Sequence, residues 1–186
     1  MNQLFYENTA DNAYATLFFA EYDDGARRLR YASCGHLSAL LLRSDYTLAR
    51  LESTCTVLGL FEEWDCSIGE RQLFPGDTLA LYTDGITESF NARGEEFGEQ
   101  RLVEALRQHR ELPSQALLRS IVDDVQQFSP QEQHDDITLI VAKCKEVNQS
   151  DISCSGARSL EGSADRRSLT GQASTVAPKI KLAHRR

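Results

Sequence analysis

The chain has 186 residues, enough for one domain with a sizeable core, and its 41% hydrophobic content agrees with a soluble globular protein. Its charge is divided: residues 1–146 carry 13 Lys/Arg against 25 Asp/Glu, and residues 147–186 carry 7 against 3, so the acidic body argues against a nucleic-acid groove. Five cysteines without a C-x-x-C pair suggest neither a disulfide framework nor a thiolate zinc site, and the lack of a long apolar run or a secretory leader points to a cytoplasmic protein.

In chain order, Met1 to Asn8 reads as the last turns of a helix whose beginning is missing. Ala15 to Asp23 and Leu29 to Ser33 are rich in strand formers and flank Asp24-Gly25, which predicts a β-hairpin and makes Asp24 a turn residue. After Cys34-Gly35-His36, Ala39 to Arg43 and Tyr46 to Leu51 form a second strand pair; His36 reads as an ordinary hydrogen-bonded loop residue and Cys34 as a small buried one. Leu58 to Phe61 is a packed loop, with Trp64 beside it. Cys66 to Leu73, the turn Pro75-Gly76-Asp77 and Leu79 to Tyr82 predict a further hairpin. Asn91 to Gly98 is a surface loop. Glu99 to Arg110 and Ser114 to Phe128 carry apolar residues at helical spacing, with Ser114 as the expected N-cap. Ile137 to Ala142 is the last expected strand, and from Val147 onward the composition predicts a disordered basic tail.

The chemistry concentrates in two places. Leu79 to Tyr82 runs straight into Thr83, Asp84 and Gly85, delivering a carboxylate at a strand end, and Asp135 and Asp136 stand immediately before the apolar run of the last strand. Carboxylates braced by strands can hold a hard divalent ion, because Mg²⁺ and Mn²⁺ prefer oxygen ligands. Glu88 reads as a surface residue.

The stretches YASCGHLSALLLR, LGLF, LFPGDTLALYTDGITESFN, RGEEFGEQRL and HDDITLIVAK, all within residues 1–145, resemble the bacterial metal-dependent protein serine/threonine phosphatases of the type 2C superfamily. The closest branch is that of stage II sporulation protein E and the sigma-factor regulatory phosphatases. The resemblance implies an α+β fold, a partial α/β/β/α sandwich of two antiparallel sheets flanked by helices over residues 1–146, with residues 147–186 as the tail. It implies two Mn²⁺ or Mg²⁺ ions, water attack on phosphoserine or phosphothreonine in a regulatory protein such as an anti-sigma-factor antagonist, and a sensor or receiver domain in a longer parent. By motif position Asp84 and Asp135 correspond to metal ligands, with Asp136 the second choice in the closing pair; no other catalytic residue is assigned.

This sequence also departs from the family. The Asp-x-x-Gly turn whose Asp bridges both ions is absent, and Gly35-His36-Leu37-Ser38 differs from the commoner Gly-His-Asn-Pro. The expectation is the C-terminal part of a phosphatase domain, holding one ion or none and weakly active or inactive alone. A catalytically inactive binding module is the alternative. A jelly-roll ligand-binding domain is the third reading, and it requires strands in place of the two helices.

Overall fold

The computed structural model describes residues 1–9, 13–130 and 136–145, and the backbone of residues 179–185. Helix α1 (Asn2–Asn8) is followed by β1 (Ala15–Asp23), β2 (Arg28–Cys34), β3 (Ala39–Leu42), β4 (Leu48–Leu51), β5 (Gly69–Gln72) and β6 (Thr78–Tyr82). The single-turn α2 (Asp84–Thr87), α3 (Gly98–Gln108), α4 (Ser114–Phe128), β7 (Leu139–Lys143) and β8 (Lys179–Arg185) complete the order. The strands form two antiparallel sheets, β5-β2-β1-β8 and β4-β3-β6-β7.

Side-chain alternation explains why the sheets stack and why helices cover one of them. β3 and β6 are buried along their whole length, as continuous apolar strands with both faces covered should be. Leu40, Leu42, Ala80 and Tyr82 point to one side, where they pack with Leu102 and Leu106 of α3 and Leu117, Ile121 and Val125 of α4. Leu41, Leu79 and Leu81 point to the other and meet Phe18, Ala20, Leu29 and Tyr31 of the facing sheet. The Phe18 and Tyr31 rings stack at 5.5 Å between centroids. The outer face of the first sheet carries a third cluster of Leu17, Cys34 and Leu58, with Phe5 and Trp64 packed against it. Here α1 is fastened by the buried Asn2, whose Nδ2 donates to the Phe61 carbonyl at 2.9 Å while its Oδ1 accepts from the Gly59 amide at 2.8 Å.

The two-sheet sandwich, the first hairpin, the β3–β4 pair and both long helices agree with the expectations from sequence, and the helices rule out the jelly-roll reading. Three expectations need correction. The segments on either side of Pro75-Gly76-Asp77 are not a hairpin: β5 pairs with β2 in one sheet and β6 with β3 and β7 in the other, so the turn carries the chain between sheets. The burial of the two strands gives the reason, since β6 is buried throughout and β5 is exposed over three of its four residues, an edge against a centre. Ser114 is the first residue of α4 rather than its cap; the Pro113 carbonyl accepts the first helical bond, from Leu117 at 2.9 Å. Cys55 and Cys66 form a disulfide, although no pairing is suggested by their spacing. Of the tail, residues 147–178 lie outside the described residues, and Lys179–Arg185 runs antiparallel to β1, with Ile180 opposite Ala20. Alternation of Lys179, Ile180, Lys181 and Leu182 is the local strand signal there, hidden by the composition around it.

Candidate functional site

The ends of β6 and β7 are stitched together by one threonine. The Thr83 amide donates to the Thr138 carbonyl at 3.1 Å, the Thr138 amide donates to Thr83 Oγ1 at 3.0 Å, and Thr83 Oγ1 donates to the Asp136 carbonyl at 3.1 Å. The chain therefore leaves β6 into Asp84 at the same end of the sheet where Asp136 leads into β7. Asp84 opens α2, whose turn is closed by the Glu88 amide on the Asp84 carbonyl at 2.7 Å and by Ser89 Oγ donating to the Gly85 carbonyl at 2.7 Å. Asp84 is buried at 7% exposure, whereas Asp136 and Glu88 are exposed. Asp135 lies outside the described residues.

Asp84 lines a pocket of about 300 Å³ with Tyr14, Thr16, His36, Val57 and Thr83. His36, which the sequence reading treats as an ordinary loop residue, is buried in this wall, and its Nδ1 lies 3.2 Å from Thr16 Oγ1. It is brought there by Gly35, in the left-handed region at φ 63°, whose amide donates to the Cys55 carbonyl at 3.1 Å and to Ser53 Oγ at 2.9 Å. A Cβ at Gly35 would lie 2.4 Å from Val57 Cγ1, so the close approach and the positive φ both demand glycine. A glycine immediately before a histidine at a strand end is the sequence signal for this wall.

On the helix side of the same strand, Tyr82 donates its hydroxyl to Glu99 Oε2 at 3.0 Å. Burial first, and then the Glu99 charge, push the phenol well above its ordinary range, so Tyr82 stays a neutral donor at physiological pH. Glu99 is also paired with Arg50, which ties α3 to β4 across that face.

The donors described at this end of the sandwich are oxygen, the buried Asp84 carboxylate and the exposed Asp136 carboxylate, while the Thr83 hydroxyl is shared between the Thr138 amide and the Asp136 carbonyl. Carboxylate oxygen is the donor type that a hard divalent cation prefers. Thr83 positions both strand ends, which makes Thr83→Val informative. Loss of its hydroxyl removes the acceptor of the Thr138 amide and one donor to the Asp136 carbonyl, and the expected outcome is a fall in Mn²⁺ affinity of roughly 10-fold or more, as for an outer-shell partner, measured by titration calorimetry.

Comparisons with known proteins bear on the family and the fold. Residues 1–145 match the family described as Stage II sporulation protein E (SpoIIE). Phosphoserine phosphatase RsbU of Bacillus subtilis (strain 168) is 30% identical over 148 residues, 78% of this chain and 43% of RsbU. Protein IcfG of Synechocystis sp. is 32% identical over 127 residues, 68% of this chain and 20% of IcfG, so the chain spans less than half of either relative. Among solved structures, the phosphatase domain of Bacillus subtilis SpoIIE with a fragment of its regulatory domain superposes with a TM-score of 0.63 at 20% identity, covering 77% of this chain and 42% of that one. The catalytic domain of the serine/threonine phosphatase PstP in complex with two manganese ions superposes with a TM-score of 0.58 at 16% identity, covering 78% and 67%. At those identities the structures establish the shared sandwich fold. Taken with the match over residues 1–145, they place this chain in the stage II sporulation protein E family.

Proposed function

We propose that this chain is part of a metal-dependent protein phosphatase that hydrolyses phosphoserine or phosphothreonine in a regulatory phosphoprotein, such as an anti-sigma-factor antagonist in a cytoplasmic partner-switching pathway. The observation that carries the reading is the Thr83 stitch, which brings the Asp84 and Asp136 ends of two strands together beside a pocket. The name of RsbU, a phosphoserine phosphatase, and the manganese of PstP supply the chemical class. Asp84 and Asp135 are the proposed ligands of one Mn²⁺ or Mg²⁺, with Asp136 as the second choice of the closing pair. Such an ion supplies Lewis acidity to the phosphoryl group and lowers the pKa of water.

The chain's own residues set the frame for that chemistry. Thr83 fixes the distance between the acidic strand ends, and Gly35 brings the backbone close enough for His36 to wall the pocket. Thr16 orients the imidazole through Nδ1. Upstream, a sensor or receiver domain in a longer parent is the expected source of regulation. The departure from the Asp-x-x-Gly pattern motivates a second reading, a phosphatase-like binding module.

The test is phosphate release from a phosphorylated anti-sigma-factor antagonist with and without Mn²⁺. Mn²⁺-dependent release that disappears in Asp84→Asn supports the enzyme. Tight binding of the antagonist without release favours the binding module, and neither release nor binding removes both.

A further inference from the structure

Away from the acidic strand ends, the chain assembles a site of different chemistry. Cys34 ends β2, Cys55 lies beside it in a parallel bridge, and Cys66 lies beside Cys55 in an antiparallel bridge, so three separate segments set their cysteines in one row. The three sulfurs all lie within 4.8 Å of one another. Cys55 and Cys66 are joined as a disulfide, and Cys34 is a free thiol at 2% exposure.

Packing with Leu17 and Leu58 accounts for the burial of Cys34, and a disulfide needs only two sulfurs. Neither accounts for a third sulfur within reach of both others. We propose that, once the Cys55–Cys66 bond is reduced, Cys34, Cys55 and Cys66 form a three-thiolate site for a single soft d¹⁰ cation of the Zn²⁺ class. Zinc–sulfur bonds of about 2.3 Å in a tetrahedron separate the sulfurs by about 3.8 Å, within the spread observed here. Thiolates select Zn²⁺ and Cu⁺ over Mg²⁺ and Mn²⁺, so the site does not compete with the oxygen donors around Asp84 for the same ion. Thr54 Oγ1, 3.3 Å from Cys55 Sγ, can donate to the thiolate and help hold its charge. The fourth coordination position falls to water.

A phosphine reductant gives two electrons to the disulfide, takes oxygen from water and leaves two thiols. Zn²⁺ then replaces three thiol protons with three sulfur bonds and releases the protons. Burial pushes the Cys34 thiol up, so protons compete with the metal there and affinity rises with pH. Because Cys34 runs directly into Gly35 and His36, a filled site would brace the wall of the pocket.

The experiment uses the full chain with Cys144 and Cys154 replaced by Ser, reduced with the phosphine and titrated with Cd²⁺ alone, then with Zn²⁺ against a chromogenic chelator. The expected result is one equivalent of Cd²⁺ with ultraviolet thiolate charge transfer, no uptake before reduction, and more than tenfold weaker binding in Cys34→Ser. Cys66→Ser, at a more accessible position, gives the same loss and decides the matter if Cys34→Ser does not fold. Absence of the charge-transfer band in the reduced chain, or an unchanged band in a folded Ser variant, overturns the proposal. The readout is independent of phosphate release, so its failure leaves the phosphatase reading intact.

Discussion

Asp84→Asn is expected to weaken Mn²⁺ binding by more than about 100-fold in titration calorimetry, beyond the range typical of losing an outer-shell partner. Asparagine keeps the volume and one acceptor oxygen but removes the negative charge that a hard divalent cation requires. The turn of α2 should survive, because the Glu88 amide and Thr87 Oγ1 both donate to the backbone carbonyl of residue 84, which the substitution keeps. The melting temperature should therefore move by no more than a few degrees. Asp135→Asn is expected to match the loss and the exposed Asp136→Asn to show less. Asp24→Asn, in the β1–β2 turn, should show none. Unchanged heats in Asp84→Asn would remove Asp84 from the site, whatever its position beside the pocket.

What could be read from the chain before its structure depended on how local the cause was. The α3 and α4 stripes, the β1–β2 hairpin around Asp24-Gly25 and the central strand into Asp84 are local patterns, and each appears in the fold. The partner of each strand is a nonlocal fact. Pro75-Gly76-Asp77 has the composition of a hairpin turn, yet the competition between a buried central strand and an exposed edge strand sends β6 and β5 to different sheets. His36 and Asp84 are far apart in sequence and line one pocket only because the two sheets stack, so no spacing rule could connect them. Cysteine spacing fails for the same reason: Cys34, Cys55 and Cys66 are neighbours across strands, and a C-x-x-C search looks only along one. That Asp84 and Asp136 stand at strand ends is legible because residue type and strand position coincide.

The largest effect on stability is expected at the crossover turn itself. Asp77 is 1% exposed, and its carboxylate accepts from Arg43 Nη1 at 2.7 Å, the Ser44 amide at 3.1 Å and the Phe74 amide at 2.9 Å. Its backbone is clamped as well, since the Cys144 amide donates to the Asp77 carbonyl and the Gly76 amide donates to the Cys144 carbonyl, both at 2.9 Å. Asp77→Ala strands a guanidinium and two amides at once. Breaking a buried ion pair from one side costs about 3–5 kcal/mol, and the lower end applies because Arg43 is 22% exposed and still donates to the Gln72 carbonyl. A loss of about 3 kcal/mol corresponds to a fall of roughly 6–12 °C in melting temperature for a chain of this size. Asp77→Asn, which keeps one acceptor, should cost less, and adding Arg43→Met to Asp77→Ala should recover part of the loss by removing the stranded charge. A loss below about 1 kcal/mol in Asp77→Ala would mean that β3 and the end of β7 hold the turn without the carboxylate. The consequence reaches the candidate site through the backbone, because this turn launches β6 and β6 delivers Asp84. In the Ala variant Mn²⁺ binding should therefore disappear together with the folded state on heating, whereas in Asp84→Asn it is absent from a chain that remains folded.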